Sequence, residues 1–201
     1  GAPQDLGERF ADAVWKRRKL TSVQLNVNPQ PDHQLFGERF EVLAGAPSIR
    51  EKIGGLTFVL DAETFLQVNS AQAKRLYDEA VQLSRPANPE RVLDLYAGNG
   101  GLSLHLARAF PKADVLAVES VAPAVARGKE SAAANGITNV RWRVGKVEST
   151  LKKIHHHEHW KADLVVVDPP RAGLKDIVIE TLGRIKPHRV QLGMWYLLRV
   201  L

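Results

Sequence analysis

Three short stretches carry residue types and spacings that could share one chemical task. The first is Asp94-Leu-Tyr-Ala-Gly98-Asn-Gly100-Gly101, where an apolar run from Val92 to Leu95 ends in a glycine cluster and a helical pattern follows at once. A strand, a tight turn and a helix start together place a nucleotide-like ligand over the strand's C-terminal end. The glycines let the backbone turn sharply and approach a ligand where a Cβ would obstruct it. The second is Glu119, nineteen residues beyond Gly100 and just past another apolar run. An acid there can accept hydrogen bonds from both hydroxyls of a ribose. The third is Asp168-Pro-Pro-Arg171 after Leu164-Val-Val-Val167, where two prolines fix a rigid turn and turn the Asp168 carboxylate toward the same crevice.

The elements that must position these residues follow from periodicity. Strands are expected at 92–95, 115–118, 140–144 and 164–167, with a fifth beginning near Val190. Helices are expected near 101–109, 122–134 and 174–185. This alternation implies a parallel sheet flanked by helices, with right-handed crossovers. Upstream, residues 5–19 read as a helix ending in Lys16-Arg17-Arg18-Lys19, four cations that complement the helix dipole or touch RNA. A hairpin is expected from Ser22 to Val27 and Phe36 to Leu43, with two more extended runs at 49–53 and 56–60 joining it in one small sheet. A helix from Ser70 to Leu83, capped by Asn69 or Ser70, then leads into a Pro-containing linker near 84–90. The division expected is a β-rich region over 1–62 and an α/β domain over 63–201.

The 201 residues carry a net charge of +6, which suits a polyanionic partner without naming one. No apolar run reaches membrane-spanning length, and no secretory leader is evident, so a cytoplasmic protein is expected. The only methionine is Met194, and a beginning partway into a longer protein, or after processing, is expected. Cysteine is absent, which excludes disulfides, thiolate metal sites and one class of nucleophile. His155-His-His-Glu-His159 could hold adventitious metal but lacks the spacing of a catalytic site, so no functional metal is expected.

The glycine turn departs from the dinucleotide fingerprint at Ser103, where a third glycine would stand. Its acid-to-glycine spacing resembles motif I of class I S-adenosylmethionine (SAM) methyltransferases. The set Phe65-x-Gln67-x-Asn69, Asp94 to Gly101, Val118-Glu119, Asn135-Gly-Ile and Asp168-Pro-Pro-Arg-x-Gly173 resembles the RNA 5-methyluridine methyltransferases, which methylate uracil C5 in ribosomal and transfer RNA. The likeness runs from about Leu20 to Val190 in the same order and spacing. It implies a Rossmann-like domain with SAM contacts at Gln67, Tyr96, Gly98, Gly100, Gly101, Glu119 and Asp168. It places Arg171 at the RNA-facing mouth. RNA is the partner implied, and a monomer is expected. Residues 16–19, Arg171, Lys175 and Arg184 are candidates for phosphate contact.

Three departures qualify the likeness. Ala97 stands where the family usually has Cys, a packing difference. Lys146 stands where an Asp or Asn would touch adenine. The third concerns the reaction itself. Uracil C5 is a poor nucleophile until a Cys adds to C6, after which a carboxylate removes the C5 proton. That Cys is expected at or near Met194, and a thioether cannot supply a thiolate. No catalytic residue is therefore assigned, and residues 191–201 are expected to be a non-native ending. Two further readings stay open: a SAM- or RNA-binding protein without catalysis, and an NAD-dependent oxidoreductase, which Ser103 and the Asp-Pro-Pro-Arg turn disfavour.

Overall fold

The computed structural model describes residues 3–17, 20–29, 37, 39–64, 69–154, 160–170 and 173–192. Its centre is a five-stranded parallel sheet in the order β7-β6-β5-β8-β9. The strands are β5 (Arg91–Leu95), β6 (Asp114–Glu119), β7 (Val140–Val144), β8 (Leu164–Val167) and β9 (Arg189–Leu192). Between them run α3 (Gly101–Ala109), α4 (Ala122–Ala134), α5 (Val147–Lys153) and α6 (Asp176–Ile185). The chain winds outward from β5 in one direction and returns to lay β8 on its other side. That reversal opens a crevice at the carboxyl ends of the strands.

The central strands read as nearly continuous apolar runs, broken in β5 by Asp94, because both faces are covered. Alternate residues serve opposite cores. Val92, Val115, Leu164 and Val166 pack with α3 and the preceding hairpin, while Leu93, Leu95, Leu116, Val165 and Val167 pack with α5 and α6. On α6 the buried positions Val178, Thr181, Leu182 and Ile185 keep the helical spacing of one apolar face. Asp94 belongs to the Val92 side of β5, so strand alternation points it toward α3.

Ahead of the sheet lie α1 (Pro3–Arg17), β1 (Ser22–Val27), β2 (Arg39–Gly45), β3 (Ile49–Ile53), β4 (Leu56–Leu60) and α2 (Ser70–Ser84). Asn69 caps α2 by accepting the Gln72 N–H at 3.1 Å. The single small sheet expected from the sequence is instead two antiparallel pairs, β1–β2 and β3–β4. The second hairpin turns at Gly54-Gly55, both at positive φ, as a two-residue connection demands. Its outer edge is taken by helix side chains. Asn135 accepts the Thr57 N–H at 2.9 Å and donates to the Thr57 carbonyl at 2.7 Å, and Ser131 accepts the Val59 N–H at 2.8 Å. With those groups satisfied, the edge of β4 offers no site for another strand. Ile53, Leu56, Phe58 and Leu60 then enter the core beside α3 and α4.

Residues 84–90 form a 3₁₀ turn (Arg85–Ala87) and a short connection. Ser84 is buried there, donating to the Ala80 carbonyl and to Gln191 Oε1 of β9 at 3.1 Å. No helix among the described residues is long and apolar enough to cross a membrane.

Candidate functional site

Parallel register assembles the site. Leu95 pairs with Val118 on one side and Val167 on the other, so the next residues, Tyr96, Glu119 and Asp168, stand in one row at the sheet's carboxyl edge. Three distant stretches of sequence meet there because their strands are neighbours.

The glycine turn is bent by backbone hydrogen bonds. The Ala97 N–H donates to the Val118 carbonyl of the next strand at 3.1 Å, and the Gly100 N–H returns to the Ala97 carbonyl at 2.9 Å. Tyr96 takes φ +63° to make this reversal, Gly98 +56° and Gly100 +85°. For the bulky Tyr96 the left-handed conformation costs on the order of 1–2 kcal/mol, strain held by the sheet around it. Gly100 also lacks room for a side chain, since a Cβ would stand 2.3 Å from the Trp142 indole. A Cβ on Gly101 would stand 2.3 Å from the Tyr77 hydroxyl. Gly98 faces open space, so its freedom serves the turn alone. Gly101 opens α3, whose first amides have no carbonyl partner within the helix and carry the positive end of its dipole.

Glu119 is 9% exposed and its carboxylate is held on both oxygens. Oε2 accepts the Gly98 N–H at 2.9 Å, while Oε1 accepts the N–H groups of Ser120 at 2.6 Å and Val121 at 2.8 Å. It thereby locks the glycine turn to the end of β6. Tyr96, Glu119, Ser120, Lys146, Glu148, Asp168 and Lys175 line a cleft of about 420 Å³. Lys146, at the position the resemblance gives to an adenine contact, is in the cleft wall at the start of α5. Lys175 forms an ion pair with Glu148 at 3.0 Å, and Arg184 pairs with Glu180 along α6 at 3.8 Å. Burial, and Glu148 beside it, raise the Tyr96 pKa.

Beneath the turn lies a group that the sequence reading used as the motif's acid but gave no part in the site. Asp94 is 1% exposed and accepts a hydrogen bond from Ser103 Oγ at 2.5 Å. Burial pushes its pKa up to about 7, and Asp168 and Glu119 add to the rise against the opposing Ser103 bond. The serine that breaks the dinucleotide fingerprint is thus the partner of the motif's acid. The signal was present in sequence: a strand-end acid and a first-turn serine nine residues apart. Tyr77, from α2, lies over Gly101 with its ring stacked on His105 at 4.5 Å, and burial and the two aspartates raise its pKa to about 12. His105 Nδ1 is 2.7 Å from the Gly101 carbonyl, a second tie on the helix start.

The structure therefore brings Tyr96, Gly98, Gly100, Gly101, Glu119 and Asp168 together. Gln67, Arg171 and Met194 lie outside the described residues, as do residues 155–159 and the side chains of 16–19. Trp142 fills the gap between Gly100 and Gly128, and Trp160 donates to Asp114 Oδ2 at 3.2 Å, so both serve packing. No cluster able to hold a metal ion occurs among the described residues.

A parallel sheet of this order with a glycine turn and an acid at its carboxyl edge is the fold of the class I SAM-dependent methyltransferases. A SAM-dependent methyltransferase of Agrobacterium tumefaciens, 19% identical, shares it with a TM-score of 0.52 over 80% of this chain and 49% of that one. The family model for tRNA (uracil-5-)-methyltransferases matches residues 53–186, well over half of the chain, and the chain belongs to that family. An uncharacterized RNA methyltransferase of Bacillus cereus is 38% identical over 179 residues, covering 89% of this chain and 38% of that protein. One from Halalkalibacterium halodurans is 37% identical over 171 residues, covering 85% and 37%. The Pyrococcus abyssi tRNA (uracil-54, C5)-methyltransferase, solved with S-adenosyl-L-homocysteine, superposes with a TM-score of 0.71 at 26% identity, over 88% of this chain and 41% of that one. The chain thus spans about two fifths of the length of these relatives.

Proposed function

We propose that the cleft binds SAM and that the chain is the cofactor-holding part of an enzyme methylating uridine C5 in ribosomal or transfer RNA. The observation that carries this reading is the row formed by the glycine turn, Glu119 and Asp168 at one sheet edge. The residues present suit the cofactor. Asn99, within the turn, is buried and its Nδ2 has no hydrogen-bond partner among the described residues, a donor that a ligand acceptor would satisfy. The first amides of α3 suit the methionine carboxylate, the Glu119 carboxylate suits the ribose hydroxyls, and Asp168 stands where a cation would be held. Gln67 completes the set that the resemblance assigns. When bound, SAM supplies an electrophilic methyl group. The chain's own part is to hold and orient it, with Lys175 in the cleft wall where an RNA phosphate could approach and Arg171 assigned to that role by the resemblance alone.

The uracil half of the reaction needs a nucleophile at C6, and this chain contains no cysteine. The reading is therefore of cofactor binding without turnover by these 201 residues. Incubation with methyl-labelled SAM and unmodified ribosomal and transfer RNA, followed by nucleoside mass spectrometry, tests it. No labelled nucleoside is expected from this chain, while SAM is retained. Labelled 5-methyluridine would mean another residue activates C6, and label on a different nucleoside would change the reaction while keeping the fold.

A further inference from the structure

We infer that Asp94 carries a proton in the free protein and gives it up when a nucleoside bearing a sulfonium cation enters the cleft. The inference rests on the SAM site proposed above and adds a role for a residue not placed in it.

The geometry begins with β5. Asp94 lies on the strand face turned to α3, enclosed by that helix and the neighbouring strands, and is 1% exposed. The titratable or polar groups facing it come from four elements: Tyr77 of α2, Ser103 of α3, Glu119 at the end of β6 and Asp168 after β8. Three carboxyl groups thus face one another behind the glycine turn. Ionising Asp94 in this poorly solvated position is costly, because the facing carboxyl groups raise the energy of its negative charge. Glu119 accepts three backbone N–H groups, whereas Asp94 is the most buried of the three and is bonded by one residue, Ser103, through its hydroxyl and its backbone N–H. Asp94 is therefore where the proton resides.

A cation placed beside Asp168 reverses the balance. A positive sulfur near the cluster favours the anionic form of Asp94, which releases its proton to solvent. S-adenosyl-L-homocysteine has a neutral thioether at the same atom, so it exerts less of this pull. The cluster then discriminates between the two by charge, and the proton returns to Asp94 once the sulfur is neutral. Burial and the facing carboxyls put the Asp94 pKa at about 7, which places the exchange near neutrality.

Calorimetric titration with SAM and with S-adenosyl-L-homocysteine, each in two buffers of different ionisation enthalpy, counts the protons released. The ligand's own amino group also titrates, so the informative quantity is wild type minus Asp94→Asn. For SAM that difference should be larger at pH 6, where Asp94 holds its proton in the free protein, than at pH 8, and it should be smaller for the neutral ligand. Ser103→Ala removes the hydroxyl bond, the larger of the two Ser103 contacts that oppose the rise, so its release should persist to higher pH than in wild type. A role of Ser103 in packing alone would weaken binding without moving that midpoint. Equal proton release by wild type and Asp94→Asn, or an unmoved midpoint in Ser103→Ala, would overturn the inference and leave the SAM site standing. Absence of SAM binding to the wild type would overturn the proposed function and this inference with it.

Discussion

Trp142 joins the cofactor turn to α4, and two glycines separate its steric part from backbone strain. A Cβ on either Gly100 or Gly128 would come within 2.3 Å of the same indole atom, Cη2. The two positions differ in backbone, since Gly100 has φ +85° and Gly128 is ordinary helix within α4. Overpacking against a held ring costs about 1–3 kcal/mol. At position 128 alanine also gains about 0.5–1 kcal/mol of helix preference over glycine, so Gly128→Ala should lose about 0–2.5 kcal/mol net. At position 100 alanine adds left-handed strain of about 1–2 kcal/mol, so Gly100→Ala should lose about 2–5 kcal/mol in all. Trp142→Leu removes the ring that both collide with. In that background Gly128→Ala should become stabilising by about 0.5–1 kcal/mol, while Gly100→Ala should still lose about 1–2 kcal/mol. Urea unfolding midpoints of the six proteins, with m-values compared to check two-state behaviour, give the numbers. If Gly128→Ala stays destabilising without the indole, Trp142 is not the obstacle. If Trp142→Leu fully rescues Gly100→Ala, the positive φ carries no cost and the account of the turn is wrong.

Further expectations follow from other contacts. Glu119→Gln replaces an oxygen that accepts backbone N–H with a group that donates. Bonds to a charged acceptor contribute about 1.5–3 kcal/mol, so SAM affinity should fall about 10- to 100-fold by calorimetry. Asn135→Ala leaves both backbone groups of Thr57 without their side-chain partner, and should cost about 1–3 kcal/mol while speeding hydrogen exchange at the Thr57 amide. Stability should also depend on pH through Asp94. Its folded pKa of about 7 lies above the unfolded value, so the folded state holds the extra proton between them. The contribution is complete below about pH 4 and falls by about 4 kcal/mol as pH rises to about 7, then stays level. Unfolding of Asp94→Asn across that range should lack this slope. Arg141→Ala breaks an exposed ion pair to Asp114 and should cost under about 1 kcal/mol, read from the same unfolding curves.

The parts of the fold legible in sequence are those where one physical cause dominates. Strands β5, β6 and β8 show as mostly apolar runs because both faces are buried. At the sheet edge β7 shows as an alternation of apolar and charged residues, and the glycine turn and Asp-Pro-Pro mark where two of the strands stop. Helix α5 went unread because its buried face, Val147, Thr150 and Leu151, spans barely one turn, too short a stripe for periodicity to register. The separation of the two hairpins depends on Ser131 and Asn135, more than seventy residues from the groups they satisfy. No local pattern encodes that pairing. Tyr96, Glu119 and Asp168 were nameable from the resemblance, but their common row follows from register. Its left-handed backbone follows from the Ala97 bond to the neighbouring strand. Asp94 was visible as the start of the glycine motif. Its burial and its Ser103 partner required knowing which face of β5 meets α3.

The central claim is that the carboxyl-edge cleft is a SAM site, and an amide-resolved NMR titration tests it most directly. SAM should shift the amides of Tyr96 to Gly101, Ser120, Val121 and Lys146 to Glu148, and leave the β1–β2 hairpin unmoved, with NADH producing no such change. NADH shifting that set at lower concentration than SAM, or SAM leaving it unmoved, would contradict the claim.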